Sequence, residues 1–277
     1  MKRIIVDSGS SIKQHEKEKY NCEILPLKIL LGEKEYLDGI DLTFEEFYDS
    51  LINKKIFPKT SLPPLTELEE KVNTYTNNGD EVIIVTISSK ISGTFNTIRL
   101  LFEDNPNVLM IDSCCAVGGI KLIVDEINRN INEPLNVIEE KVKNLIPRIT
   151  IMAIPETLNY LLMGGRLSKT EWLFGSLLHI KPIIGFENGK VHVVGKKHGL
   201  KPGMKYIAEA LNSLECDPNY DIVPSYTYND DNLKTLIKYV DEKYHKQFKD
   251  FDNLDPAIAC HWGPNAFGYI FVTEEEN

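Results

Sequence analysis

Residues 82–102 constrain the fold more tightly than any other stretch of the chain. Val82-Ile83-Ile84-Val85-Thr86-Ile87 is a short apolar run rich in β-branched side chains. That is the pattern of a strand buried on both faces. Ser88-Ser89-Lys90-Ile91-Ser92-Gly93-Thr94 follows and is mostly small and polar, after which Phe95, Ile98, Leu101 and Phe102 recur at helical spacing. The stretch reads as strand, loop, helix. At the carboxyl end of such a strand the next helix offers free backbone N–H groups and the positive end of its dipole. Gly93 lets a ligand approach the backbone closely, and the Ser92 and Thr94 hydroxyls add donors. The expectation is a site for a small anion, a phosphate or a carboxylate. These residues by themselves leave open the plainer reading, in which Ser92 only caps the helix.

The first half of the chain repeats this unit. Ile4-Ile5-Val6 reads as a strand ending in the polar turn Asp7-Ser8-Gly9-Ser10-Ser11. Ile24 to Leu31 reads as a strand, with Gly32-Glu33 turning it into a short partner that ends at Leu37. Asp38-Gly39 is a tight-turn signal. Thr43 with Glu46 matches a capping box, and Phe44, Phe47, Tyr48 and Leu51 continue as an amphipathic helix. Pro58 to Pro64 is a proline-punctuated loop, with a helix expected from about Leu65 to Tyr75. Val108 to Ile111 reads as a strand ending in Asp112-Ser113-Cys114-Cys115. Helices are expected over Ala116 to Ile127 and Val137 to Leu145, and a strand over Ile149 to Ile154. Alternating strands and helices predict an α/β layer with a mostly parallel sheet. Polar turns follow three of these strands, at the edge where open α/β sheets bind ligands.

After Pro155 the pattern changes. A short helix over Thr157 to Leu162 stops at Gly164-Gly165-Arg166, and another is expected from Ser168 through Leu178. Pro182 to Phe186 and Lys190 to Val194 form a hairpin about the Asn188-Gly189 turn. Helices follow over Met204 to Leu214 and Leu233 to Tyr244, with a strand over Ile222 to Tyr228 between them. Ala257 to Cys260 and Phe267 to Val272 read as closing strands. The reading is α/β overall. Residues 1–155 form an N-terminal domain with a mostly parallel sheet flanked by helices, and residues 156–277 a C-terminal α+β domain.

Composition removes several classes of function. The net charge of −10 argues against nucleic acid or an anionic membrane surface as the main partner. No apolar run approaches the roughly 18 residues of an integral membrane segment. The basic start of MKRIIVDSGSS is followed by too few apolar residues for a signal peptide. Five cysteines, an odd number without metal-like spacing, point to a reduced cytoplasmic compartment. His192 and His198 lack metal geometry, and neither a dinucleotide nor a P-loop fingerprint occurs, so neither a metal nor a cofactor is expected.

The remaining candidates each have a plainer alternative. Thr60 and Ser61 sit in a loop pinned by prolines, where a hydroxyl is held rigidly or simply bonds its own backbone. Arg166 follows two glycines and could swing toward an anion, or be an ordinary surface arginine. His261, at the end of an expected strand beside Gly263 and Pro264, could serve a carboxylate, act as a base, or be a satisfied core histidine. A Ser92/His261 nucleophile–base pair would make the chain a phosphotransferase or hydrolase. No orienting carboxylate can be assigned to it and no G-x-S-x-G elbow exists.

Taken in order, these pieces resemble the DegV family of bacterial fatty-acid-binding proteins over nearly the full chain. The resemblance is carried by Asp7-Ser8, Tyr36 to Thr43 with Glu45 to Tyr48, Lys59-Thr60-Ser61, Ser88-Ser89 with Ile91 to Thr94, and Asp112-Ser113. The most specific block is Leu158 to Leu161 with Gly164-Gly165-Arg166-Leu167-Ser168 and Ile180 to Ile183, closed by His261 with Gly263-Pro264 and Ala266. The resemblance implies a two-domain carrier that buries one long-chain fatty acid between its domains and is not itself an enzyme. It implies that Thr60 and Ser92 hold the carboxylate, with Ser61 and Gly93 beside them and Arg166 and His261 near that end. It also implies a partner, the catalytic subunit of a fatty acid kinase, which phosphorylates the bound carboxylate. The sequence departs from the family pattern at Leu62, commonly glutamine, at Asn265, usually glycine, and at Cys114-Cys115.

Overall fold

The structure is a computed structural model and describes residues 1–170, 180–246, 248 and 251–274. The chain divides into two compact units, Met1–Pro147 with Asp255–Ala257, and Arg148–Leu254 with Ile258–Asn277.

The first unit is built on a parallel sheet in the order β2-β1-β6-β7, with β1 at Lys2–Asp7, β2 at Glu23–Leu25, β6 at Glu81–Thr86 and β7 at Val108–Asp112. Val82 to Val85 are fully buried, as a strand covered on both faces requires. A smaller antiparallel sheet, β4-β3-β5, comprises β3 (Lys28–Leu31), β4 (Lys34–Leu37) and β5 (Lys59–Ser61). The helices are α1 (Lys17–Tyr20), α2 (Phe44–Tyr48), α3 (Leu65–Asn77), α4 (Thr94–Phe102), α5 (Gly118–Arg129) and α6 (Leu135–Leu145). Leu68 and Val72 of α3 and Ile98 and Phe102 of α4 pack on Ile5, Val82 and Ile84 of the sheet, while Leu101, expected on the buried stripe of α4, is exposed. The capping box of α2 is formed, with Thr43 Oγ1 accepting from the Glu46 N–H and Glu46 Oε2 accepting from the Thr43 N–H, both at 3.2 Å.

The second unit is a mixed sheet in the order β10-β9-β8-β13-β11-β12. Its strands are β8 (Ile149–Ile154), β9 (Ile180–Glu187), β10 (Lys190–His198), β11 (Val223–Tyr226), β12 (Asp252–Asn253) and β13 (Phe267–Val272). All neighbours are antiparallel except β11 and β12. The helices are α7 (Asn159–Met163), α8 (Leu200–Ser213), α9 (Asp231–Tyr244) and α10 (Pro256–Trp262). Ile207, Leu211, Leu236 and Val240 of α8 and α9 pack on Ile154, Ile183, Tyr269 and Phe271. The β9–β10 turn has positive φ at both Asn188 (50°) and Gly189 (78°), the conformation an Asn-Gly hairpin turn favours.

Several elements differ from the sequence expectation. Ile24 to Leu31 is not one strand. Pro26, which lacks a backbone N–H, lies between β2 and β3, and the two join different sheets. Lys59–Ser61 is a short strand, β5, rather than a loop. Strand β8 does not continue the parallel layer but pairs antiparallel with β13 and β9. Ala257 to Cys260 is helical, within α10. A short apolar run cannot be assigned from periodicity, and Pro256 as the first helical residue suits a helix start. The helix expected from Ser168 through Leu178 falls largely outside the described residues.

Candidate functional site

The loop after β6 is bonded by two carboxylates from neighbouring strands as well as by its own hydroxyls. Asp7, fully buried at the end of β1, accepts the Ile87 N–H at 2.9 Å and the Gly9 N–H at 3.0 Å. Asp112, at the end of β7, accepts the N–H groups of Ser89 and Cys114, each at 3.0 Å. Ser88 donates its N–H to the Cys115 carbonyl at 2.9 Å. The loop is therefore tied to both neighbouring strand ends. Burial pushes the Asp7 carboxyl up to about 7, against the two N–H donors that favour its charged form. The roles of Asp7 and Asp112 were not read from the sequence. Their signal is an aspartate closing each of two buried parallel strands.

Within this frame the backbone turns on Ser88, whose carbonyl accepts the N–H groups of Ile91 and Ser92, both at 3.1 Å. Ser92 Oγ lies 2.9 Å from Thr94 Oγ1 and accepts the Thr94 N–H at 3.3 Å. Gly93 is the N-cap of α4, and no side chain caps it there. The Ser92 hydroxyl is thus engaged at the helix start without being its cap, and it lies at the positive end of a nine-residue helix. A Cβ on Gly93 would meet only Leu62 Cδ2, at 3.9 Å, so the protein's own packing leaves room there for a side chain. That distance places Leu62, which follows Thr60 and Ser61, near Gly93. Thr60 is half-buried in β5 opposite Ile29, and Ser61 is exposed opposite Lys28. Leu62, a departure from the family pattern, is the side chain nearest to where a Gly93 Cβ would lie.

Arg166 and His261 come together in the second unit. The Gly164, Gly165 and Arg166 N–H groups bond back to Tyr160, Leu162 and Leu161 carbonyls at 2.9 Å, which ends α7 and reverses the chain. The Arg166 guanidinium donates to the Gly164 carbonyl. A Cβ on Gly164 would lie 2.3 Å from His261 Nδ1, so the imidazole rests on that glycine's backbone. His261 sits in the last turn of α10, not at the end of a strand. Burial, and after it the Arg166 charge, pushes His261 down to about 3, and burial also lowers Arg166. At neutral pH the pair is a charged guanidinium beside a neutral imidazole. A histidine so weakly basic is a poor proton acceptor for a serine. Gly263, at φ +71°, turns the chain against the Tyr160 ring, which would block a Cβ at 2.2 Å. Asn265 adopts φ +60°, and asparagine is among the few side chains that tolerate the left-handed region, which accounts for it where glycine is usual. Its Nδ2 donates to Glu156 Oε2 at 2.8 Å.

Among the described residues no group of three or more His, Cys, Asp or Glu side chains is arranged to hold a metal, and no helix is long and apolar enough to cross a membrane. The model of the DegV protein family matches residues 2–274. A DegV domain-containing protein of Clostridium acetobutylicum is 31% identical, over 96% of this chain and 97% of its own. The crystal structure of a fatty acid binding DegV family protein from Streptococcus agalactiae superposes with a TM-score of 0.89 at 27% identity, covering 99% of each chain. That of DegV from Bacillus subtilis, a fatty acid binding protein, superposes with a TM-score of 0.83 at 23% identity over 99% of each chain, a likeness of fold. The chain belongs to the DegV family.

Proposed function

We propose that this protein binds one long-chain fatty acid as a carrier. The hydroxyls of Thr60, Ser61 and Ser92 and the backbone at Gly93 take the carboxylate, and Arg166 and His261 act on that same end of the ligand. The observation that carries the reading is the loop at the head of α4. Asp7 and Asp112 bond its backbone, it carries a hydroxyl at a positive helix end, and Leu62, two residues after Thr60, lies near it. Its family relative from Streptococcus agalactiae is described as fatty acid binding. A carboxylate removed from water costs several kcal/mol unless it is hydrogen-bonded or paired. Each buried CH₂ of the tail contributes ~0.8 kcal/mol, so the tail supplies most of the affinity and the hydroxyls fix the head.

The carrier works without a cofactor of its own, in the cytoplasm, and offers the bound carboxylate to the catalytic subunit of a fatty acid kinase. The chemistry of the chain supports a carrier over a phosphotransferase or hydrolase built on Ser92 and His261. A histidine held near 3 does not activate a serine at neutral pH, and phosphoryl transfer asks for a metal-and-phosphate cradle that no motif here supplies. The test is incubation of the loaded protein with ATP and Mg²⁺, with and without a DegV-partner kinase subunit. Acyl phosphate is expected only when the kinase is added. Acyl phosphate beyond one equivalent from this chain alone would replace the carrier reading with the Ser92/His261 enzyme.

A further inference from the structure

The first unit contains a cleft of about 360 Å³. Its lining draws on the turn after β1, the Asp38-Gly39 turn, the start of α2, and Asp255. The walls are apolar, from Ile12, Ile24, Leu42 and Phe44. Two aspartates face it. Asp255, 4% exposed, pairs with Lys13 Nζ at 2.6 Å, and that ammonium also lies 5.3 Å from the centre of the Phe44 ring. Asp38 is fully buried, and its Oδ1 accepts the Ala257 N–H at 3.0 Å. Its other oxygen, Oδ2, is buried with no hydrogen-bond partner of good geometry among the described residues. The Ser8 hydroxyl lies near enough to favour the ionised carboxylate. Two buried carboxylates therefore share one lysine, and an acceptor oxygen at the wall of an apolar cleft is left to be satisfied.

We propose that this cleft is a separate ligand site for a small alkylammonium, its charged head on Asp38 and its stem on Ile12, Ile24, Leu42 and Phe44. Once Asp38 is ionised, one added positive charge balances the Asp38–Asp255–Lys13 group, and an ammonium over an aromatic face is the contact Lys13 already makes there. The charged and titratable groups facing Asp38 are Asp255, Lys13 and, at the mouth, His15. Burial, and next the Asp255 charge, pushes Asp38 up to about 8. A bound cation favours the ionised form, so binding displaces a proton and tightens as pH rises through this range.

The probe is n-butylammonium, titrated calorimetrically into the full chain at pH 7 and pH 9, with n-butanol and n-butyrate as uncharged and anionic controls. The expected result is binding of n-butylammonium that is roughly tenfold tighter at pH 9 than at pH 7, with both controls much weaker. Asp38→Asn should remove the binding and its pH dependence and leave fatty-acid binding in place. The proposal is overturned by no binding to the folded wild type, by equal or tighter binding of either control, or by unchanged binding in Asp38→Asn. Should that variant fail to fold, Ile40→Trp at the exposed rim must block the probe, and undiminished binding there overturns the proposal equally.

Discussion

In the proposed carrier, Ser92 and Thr60 are the residues that hold the carboxylate. A hydrogen bond to a charged group is stronger than one between neutral groups, so Ser92→Ala should weaken fatty-acid binding by ~1.5–3 kcal/mol. Thr60→Ala should act in the same direction. Isothermal titration showing unchanged affinity for both variants would remove the carboxylate from this loop. Arg166, charged and partly buried on the Gly164 carbonyl, should matter more for phosphorylation by the kinase than for binding. Equal losses in the two assays for Arg166→Ala would contradict that division. Asp7 gives a pH signature. Its folded value of about 7 lies above the ordinary 3.8, so the folded state holds this proton more tightly than the unfolded chain. Its contribution to stability is full below about pH 4 and is lost as pH rises through 7. Urea midpoints of wild type and Asp7→Asn at pH 5 and pH 8 should therefore show the wild type losing more of its margin at the higher pH. The opposite trend would mean that the two N–H donors outweigh burial at this carboxyl. The strand, loop and helix that carry the hydroxyls of the candidate site are legible in the sequence because they follow one another locally. It did not disclose that Asp7 and Asp112 hold the loop, because those contacts join residues 80 and 23 positions apart.

The elements show where local pattern suffices and where tertiary pairing decides. The capping box at Thr43, the Asn188-Gly189 hairpin and strand β6 were all readable, since each is specified by a few adjacent residues. Alternation alone assigns strand β8 to the parallel layer, whereas it pairs antiparallel with β13 and β9, because its apolar run carries no information about its hydrogen-bonding partner. Helix α10 was read as a strand for a similar reason, as Ala257 to Cys260 are all buried and show no helical stripe. That misreading matters functionally, because it is the last turn of α10 that lays His261 on Gly164. The packing is tight enough to predict an outcome. In Gly164→Ala the new methyl would fall 2.3 Å from His261 Nδ1, so either the imidazole or the end of α7 must move. Overpacking of this kind costs about 1–3 kcal/mol. Chemical denaturation should show the loss, and the effect should extend to the kinase assay if His261 is displaced. A Gly164→Ala protein with wild-type stability would show that the imidazole has room to relax.

At the scale of the whole molecule, helices pack on the two larger sheets and the chain carries a net charge of −10. That charge disfavours direct exchange with anionic lipid surfaces, so delivery of the acyl group should depend on partner proteins or on monomeric acid. The general fold followed from alternating strands and helices. The identity of the ligand did not, because an anion site of hydroxyls and N–H groups suits a phosphate as well as a carboxylate. The most direct test is native mass spectrometry of protein purified without added lipid, followed by denaturation and identification of what is released. The account predicts one C16–C18 fatty acid per chain in the wild type and a much lower occupancy in the Thr60→Ala/Ser92→Ala double variant. A wild-type protein that carries no fatty acid and takes none up when it is supplied, or a double variant loaded as fully as the wild type, would contradict it.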